Sequence, residues 1–181
     1  MKLTIRNVRL TFPKLWKAES FANDPTSKPA FSCSFLISPD DPQIAQIQNA
    51  IQQVAFDLWQ DKAQGILAEL YGKDKTCLHN GDYKADYDGY AGMWYVTARS
   101  KNKPLVIDRD TSVLTEESGR PYGGCYGNVS IDIYAQDDFG KRVNASLRGV
   151  QFVQDGDAFS GGPPAKPEEF DNLGVSGDAL A

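Results

Sequence analysis

Between Val129 and Leu147 the chain alternates twice over. Val129, Ile131, Ile133 and Ala135 are interleaved with Ser130, Asp132 and Tyr134. Asp137-Asp138-Phe139-Gly140 then reverses direction, and Val143, Ala145 and Leu147 alternate back with Asn144, Ser146 and Arg148. A strict period of two on either side of a turn signal is an antiparallel hairpin, apolar on one face and polar on the other. Gly149 follows as a bulge before Val150, Phe152 and Val153.

The same period recurs upstream. Leu3, Ile5, Val8, Leu10 and Phe12 form a strand with one parity switch at Arg6-Asn7. A bulge there keeps the apolar side inward and turns Arg6 and Arg9 outward. Pro13 ends this strand, and residues 14–29 read as a long loop in which Trp16, flanked by Lys14 and Lys17, is either a stacking ring or a ring folded onto the barrel. Phe31, Cys33, Phe35 and Ile37 give a second strand, with Cys33 a small core residue. Asp41 as N-cap and Pro42 at the first position open a helix with Ile44, Ile47, Ile51, Val54, Ala55 and Leu58 on its apolar face. A second helical piece carries Ile66, Leu67, Leu70 and Tyr71 and stops at Gly72. Five or six strands with a helical insertion after the second, and no strand–helix repeat, fit a small, partly open antiparallel barrel of the OB type.

Met93 to Asp110 reads as two short strands joined by a basic turn. Trp94, Val96 and Ala98 take the core parity, so Met93, Tyr95, Thr97 and Arg99 face out. Arg99, Lys101, Lys103 and Arg109 crowd this stretch, with Tyr90, Trp94 and Tyr95 beside them. Rings for bases and cations for phosphates are what a single-stranded nucleic acid requires of a protein surface. The candidate contacts are therefore Tyr95, Arg99, Lys101, Lys103 and Arg109. Arg6, Arg9, Trp16, Tyr134 and Arg148 extend them if their strands share the face.

A net charge of −5 looks unsuited to such a ligand, but its location matters. Residues 155–181 hold six acids and one lysine, which accounts for the whole excess. The preceding 154 residues are neutral and carry their own local pattern. The expected division is a binding domain over residues 1–154 and an acidic, Gly/Pro-rich disordered tail over 155–181. No apolar run approaches the ~20 residues that span a bilayer, and MKLTIRNVRLTF lacks the block of a signal peptide, so no membrane partner and a cytoplasmic location are expected. Cys33, Cys77 and Cys125 suit a reducing compartment.

Catalytic patterns are missing. There is no G-x-x-x-x-G-K-[ST], G-x-S-x-G or H-E-x-x-H, and the glycines at 123–127 precede a strand where a phosphate cradle precedes a helix. Cys77 and His79, the one histidine, have no second ligand pair for zinc. Asp82, Asp86 and Asp88 have Lys84 among them and no closing Glu, which excludes a calcium loop. Asp108 and Asp110 lack the further ligands of a metal nuclease. No enzyme activity, metal or cofactor is expected.

Several segments resemble a family of bacteriophage single-stranded DNA-binding proteins: LTFPKLW at 10–16, FSCSFLI at 31–37, GYAGMWYVTARSKNKPLVIDRD at 89–110, and above all the block from Tyr122 to Gly162. The resemblance implies an OB fold that binds single-stranded DNA in phage replication or recombination, in an infected bacterial host. It also implies an acidic tail that competes with DNA or recruits phage or host replication proteins. Here that tail continues past Glu168-Glu169-Phe170-Asp171 and ends GDALA. A homodimer, a recombination mediator or annealing protein, and a non-catalytic protein-interaction β-barrel stay open at this point.

Overall fold

The computed structural model describes residues 1–21, 24–159, 165 and 167–175. Seven strands and two helices follow one another: β1 (Lys2–Glu19), β2 (Ala30–Ile37), α1 (Gln43–Trp59), α2 (Ala63–Gly72), β3 (Leu78–Asn80), β4 (Trp94–Ser100), β5 (Leu105–Ile107), β6 (Tyr126–Gln136) and β7 (Arg142–Gln154). The sheet runs β3-β4-β2-β1-β6-β7-β5, and an added β4–β7 pairing joins β1, β2, β4, β7 and β6 into a closed five-stranded barrel. The closing contact is short and parallel, Ala98 opposite Ala145 and Arg99 opposite Ser146. β3 and β5 are additions to this ring. The OB-type expectation holds, with the helical insertion after β2.

The length of β1 departs from expectation. It does not end at Pro13, and residues 14–19 are strand rather than loop. β1 serves two neighbours in turn, β6 from Lys2 to Arg9 and β2 from Arg9 to Glu19. Its register is interrupted at three places, between Ile5 and Val8, between Thr11 and Lys14 and between Lys14 and Glu19, and the first two carry a left-handed residue. The first is the one expected at Arg6-Asn7, where Asn7 has φ +52° and the register jumps between Ile5 and Val8. The second lies at Phe12, with φ +48°, and contains Pro13 between paired Thr11 and Lys14. A bulge tolerates proline because its N–H is outside the ladder. This second switch also reverses the expected role of Phe12: it is exposed, and Thr11 is buried in its place.

Met93–Asp110 is not a hairpin. β4 pairs with β2, β3 and β7, whereas β5 runs parallel to β7 from Leu105↔Gly149 to Ile107↔Gln151. Both therefore lie along the same partner strand. The hairpin that does exist is β6–β7, in register from Ile131↔Leu147 to Gln136↔Arg142, with a slip beside Gly149. Its glycine admits β5: a Cβ there would stand 3.2 Å from the Leu105 carbonyl.

One apolar core joins barrel and helices. Ile5, Leu10, Phe35, Val96, Ile131, Ile133 and Val143 are fully buried from the strands, and Ile47, Ile51 and Ala55 from α1. Asp41 Oδ1 accepts the Gln43 N–H at 2.9 Å and so satisfies the start of α1. At its other end Leu58 is exposed, contrary to expectation. Trp59 is buried instead, and its indole N–H donates to Asp137 in the β6–β7 turn at 2.8 Å. In α2, Leu67 and Leu70 are buried and Tyr71 is exposed. The left-handed residue beyond its end is Asp74, φ +55°, rather than Gly72.

The tail does not leave the barrel at residue 155. Tyr122 donates to Asp155 at 2.6 Å, Arg9 donates to the Asp157 carbonyl at 2.6 Å, and the Phe159 N–H donates to the Gly123 carbonyl at 3.0 Å. Asp155–Phe159 is thus a strap on the barrel surface. Of the expected disordered tail, residues 160–164, 166 and 176–181 lie outside the described residues. Pro167–Glu169 form one short 3₁₀ turn, followed by exposed Phe170, Leu173 and Val175.

Candidate nucleic-acid interface

The outward parity assigned to β4 places Tyr95, Thr97 and Arg99 on the outer surface of the barrel. Thr97 is tied to Ser34 on β2 by a hydroxyl–hydroxyl hydrogen bond of 2.9 Å. Register sets Ser32 beside Arg99 on one side and Ser146 on the other. The outward residues of β7, Arg142, Asn144 and Ser146, continue the surface to Tyr134 on β6, which pairs with Asn144. The β1–β2 loop adds Phe21 and Lys28, and the segment around Thr76–Lys84 forms the opposite wall. Together they enclose an open groove of about 870 Å³.

Its charge is one-sided. Lys28, Lys84, Arg99, Lys101 and Arg142 line it against one carboxylate, Asp74, among the described residues. Asp74 is itself held by His79 Nδ1 at 2.6 Å. A cleft of one sign with low-dielectric walls concentrates potential, so it attracts anions despite the negative net charge of the chain. Burial pulls the Arg99 guanidinium below its ordinary value. Arginine remains charged nonetheless, and partial desolvation strengthens what it binds.

The aromatic lining is layered. Phe21 and Tyr134 are about half exposed, and the Phe21 ring centre lies 3.6 Å from the Arg99 guanidinium. Tyr95 was expected to be open to ligand. It faces outward but is only 4% exposed. His79 stacks on it at 4.8 Å, Tyr90 meets it edge-on at 5.0 Å, and Lys84 Nζ stands 5.2 Å from its ring. Burial, with Asp74 nearby, pushes its hydroxyl up to about 12, so it stays a neutral phenol. Tyr95 forms the floor of the groove and presents an edge.

The groove gathers Tyr95, Arg99, Lys101 and Tyr134 from the sequence candidates and leaves the others outside its lining. Trp16 is half buried against the core with Lys103 Nζ 5.8 Å from its ring, so it is a ring folded onto the barrel. Arg6 is exposed, its main chain held by Gln43. Arg148 donates to Ser130 at 3.3 Å, and Arg109 to the Val153 carbonyl. Arg9 is engaged by the strap. Sequence reasoning missed Phe21, Lys28, Lys84 and Arg142. Arg142 was accessible to it, since it shares the outward parity of Asn144, Ser146 and Arg148. The other three are placed by loops and have no periodic signal.

Cys33 and Cys125 lie outside the lining of the groove, and Cys77 borders it as a residue only 3% exposed. All three are buried thiols. Burial pushes Cys125 up to about 11 and Cys77 up to about 12, and raises Cys33 further.

The sequence profile of one family, described as the ssDNA-binding protein of Enterobacter phage Enc34, matches residues 1–180. A putative protein, p50, of Acyrthosiphon pisum secondary endosymbiont phage 1 is 43% identical over 182 residues, spanning 97% of this chain and 96% of its own. Among solved structures, the single-stranded DNA-binding protein of bacteriophage Enc34 in complex with ssDNA superposes with a TM-score of 0.72 at 22% identity, over 88% of this chain and 89% of that one. The bacteriophage T7 single-stranded DNA-binding protein gp2.5 gives 0.53 at 10% identity, over 94% and 97%. At these identities the two structural likenesses are of fold.

Proposed function

The chain belongs to the family of the Enterobacter phage Enc34 ssDNA-binding protein, and from that premise we propose that it coats single-stranded DNA without sequence preference in phage replication or recombination. The observation that carries this reading is the groove across β4, β7 and β6, where five cations face one already-paired carboxylate beside Phe21 and Tyr134. In OB-type barrels oligonucleotides lie on the face of the second and third barrel strands, here β2 and β4, beside the loop after the first strand; the groove shares β4 and the β1–β2 loop with that surface.

The mechanism is physical. Lys28, Lys84, Arg99, Lys101 and Arg142 follow the phosphates, and each phosphate neutralised releases counterions. Phe21 and Tyr134 offer π-faces to successive bases at ~1–3 kcal/mol each. Every base has such a face, so stacking does not discriminate sequence. Thr97, Asn144 and Ser146 add hydrogen-bonding groups to the floor. No step requires a bond to be made or broken, and the chain acts without catalysis. The location that follows is the interior of the infected host cell.

The test is a titration of intrinsic tryptophan fluorescence with single- and double-stranded oligonucleotides at two salt concentrations. Binding of the single strand that weakens steeply with salt is expected. If all five groove cations meet phosphates, log K should fall against log[salt] with a slope of roughly −3 to −4. Absence of binding at micromolar protein would favour a protein-interaction barrel instead. Cleavage of the strand in Mg²⁺ would overturn the non-catalytic reading.

A further inference from the structure

A second cation–aromatic site lies outside the groove, and the chain fills it with its own strap. Arg9 Nη2 donates to the Asp157 carbonyl at 2.6 Å, Nε donates to the Gly124 carbonyl at 3.1 Å, and the guanidinium carbon stands 4.3 Å from the centre of the Phe159 ring. One ring and one oxygen on one guanidinium are the contacts that an arginine makes with a stacked base and its phosphate. The slot that receives the ring is cut by glycines. A Cβ at Gly89 would stand 2.9 Å from the Phe159 ring, and one at Gly124, φ +108°, would stand 2.2 Å from the Asp157 carbonyl.

The surroundings have the same character. Phe159 packs against Leu36, Tyr90 and Tyr95. Tyr90 lies 5.6 Å from Tyr87 and 6.4 Å from Phe12, and the latter two meet edge-on at 5.2 Å. Phe12 and Tyr87 are each about half exposed. Phe12 is displayed by a left-handed backbone that a bulky residue rarely adopts, and such strain is retained where the outward ring is useful. The site is also continuous with the groove, because Tyr95 is floor to one and neighbour to the other.

We infer that the seat of Phe159 is a second nucleotide site of single-stranded DNA, occupied in the free protein by a base-like ring and a phosphate-like carbonyl from the chain itself. When DNA runs out of the groove past Tyr90, a base replaces the Phe159 ring and a phosphate oxygen replaces the Asp157 carbonyl on Arg9. The strap Asp155–Phe159 is then displaced. The strap lends itself to this: it is anchored by a few hydrogen bonds and one ring, with no buried charge. This is occupancy of a distinct site by an aromatic plug, separate from charge competition by the acidic residues farther on. The inference rests on the single-stranded DNA reading above.

The experiment has two arms on the full chain. In the first, hydrogen exchange of the Phe159 amide, which donates to Gly123, is followed with and without saturating oligothymidylate. Faster exchange with DNA is expected; unchanged or stronger protection overturns the inference. In the second, Phe159→Ala is expected to bind a long oligonucleotide about fivefold or more tighter, the value of one additional stacked base. A larger occluded length per protein should accompany it. Adding Arg9→Ala to Phe159→Ala should cancel the gain. Unaltered affinity and occluded length in Phe159→Ala, or a gain that survives loss of Arg9, overturns it. Thermal melting of both variants verifies that they are folded. If the unsubstituted protein forms no complex with DNA, the functional reading itself has failed, a result distinct from all of these.

Discussion

Arg99 on β4 holds its guanidinium carbon 3.6 Å from the centre of the Phe21 ring, which reaches it from the β1–β2 loop. On the proposed reading the pair would combine a phosphate ligand with a stacking platform, and the contact fixes the geometry of both before any ligand arrives. Arg99→Ala and Phe21→Ala should each weaken single-strand binding, by roughly 1–3 kcal/mol for the ring. The double variant should lose less than the sum, because each residue positions the other. Arg99→Lys should recover only part of the loss, since an ammonium lacks the planar fork. Oligonucleotide titration of the four proteins measures this; strict additivity would mean that the contact does not organise the site.

The strap and the acidic residues beyond it can be separated by where the chain is cut. Removing residues 160–181 takes away Glu168, Glu169, Asp171 and Asp178 with Lys166 and leaves the strap in place. A tethered anion near a basic groove competes with phosphate, so this truncation should bind single-stranded DNA more tightly at low salt. The advantage should shrink as salt rises. Equal affinity at low salt would refute competition by charge.

Phe35 is fully buried, whereas Trp94 is only partly buried against the same core. Phe35→Ala should therefore lose ~3–5 kcal/mol of stability and Trp94→Ala less than that. The inward parity of β2 and of β4 would be tested at once, because neither variant should alter DNA affinity while folded. Denaturant melts and DNA titrations of the two proteins decide it. Loss of affinity in folded Trp94→Ala would place that ring at the interface.

Asp137 ties the end of α1 to the β6–β7 turn. Its carboxyl is held below its ordinary 3.8, first by the indole N–H of Trp59 and then by Lys141. A lowered folded-state value means stability that is complete above about pH 4 and is lost as pH falls through the lowered value. Asp137→Asn keeps an acceptor for Trp59 but cannot titrate, so its acid limb should be flatter. Melting temperature against pH, with Trp59 fluorescence as probe, checks the sign. An unaltered acid limb would assign the acid sensitivity to other carboxylates.

How far the sequence could be read depended on how local the encoding was. The β6–β7 hairpin was fully legible, because alternation and turn lie within one short stretch. The bulge at Asn7 was legible because it breaks that alternation. The bulge at Phe12 was not: Pro13 follows it immediately and resembles a strand terminator. β4 and β5 looked like partners because they are adjacent in sequence, yet each pairs with β7 in parallel. Parallel pairing is non-local and leaves no turn signal. The parity of Tyr95 was read correctly. Its cover was not, because His79 and Tyr90 come from a polar segment whose return onto β4 is set by tertiary packing. In the site, Arg99 and the turn residue Lys101 were found, Arg142 at the start of β7 was overlooked, and Lys28 and Lys84 carried no periodic signal.

The short parallel contact that closes the barrel has a mechanical meaning. Two residue pairs, Ala98↔Ala145 and Arg99↔Ser146, hold β4 to β7, against seven between β4 and β2. The ring is therefore fastened most lightly at the floor of the groove. A DNA strand lying there bridges Arg99 on one side of the fastening and Arg142 or Asn144 on the other, so the ligand becomes a clasp for the domain that binds it. Linkage makes this quantitative: ligand at a hundred times its Kd adds ~2.7 kcal/mol to stability. Amides of β4 and β7 at this seam should gain the most exchange protection on binding, more than those of β1 and β2. Uniform protection around the ring would show that the seam is no weaker than the rest.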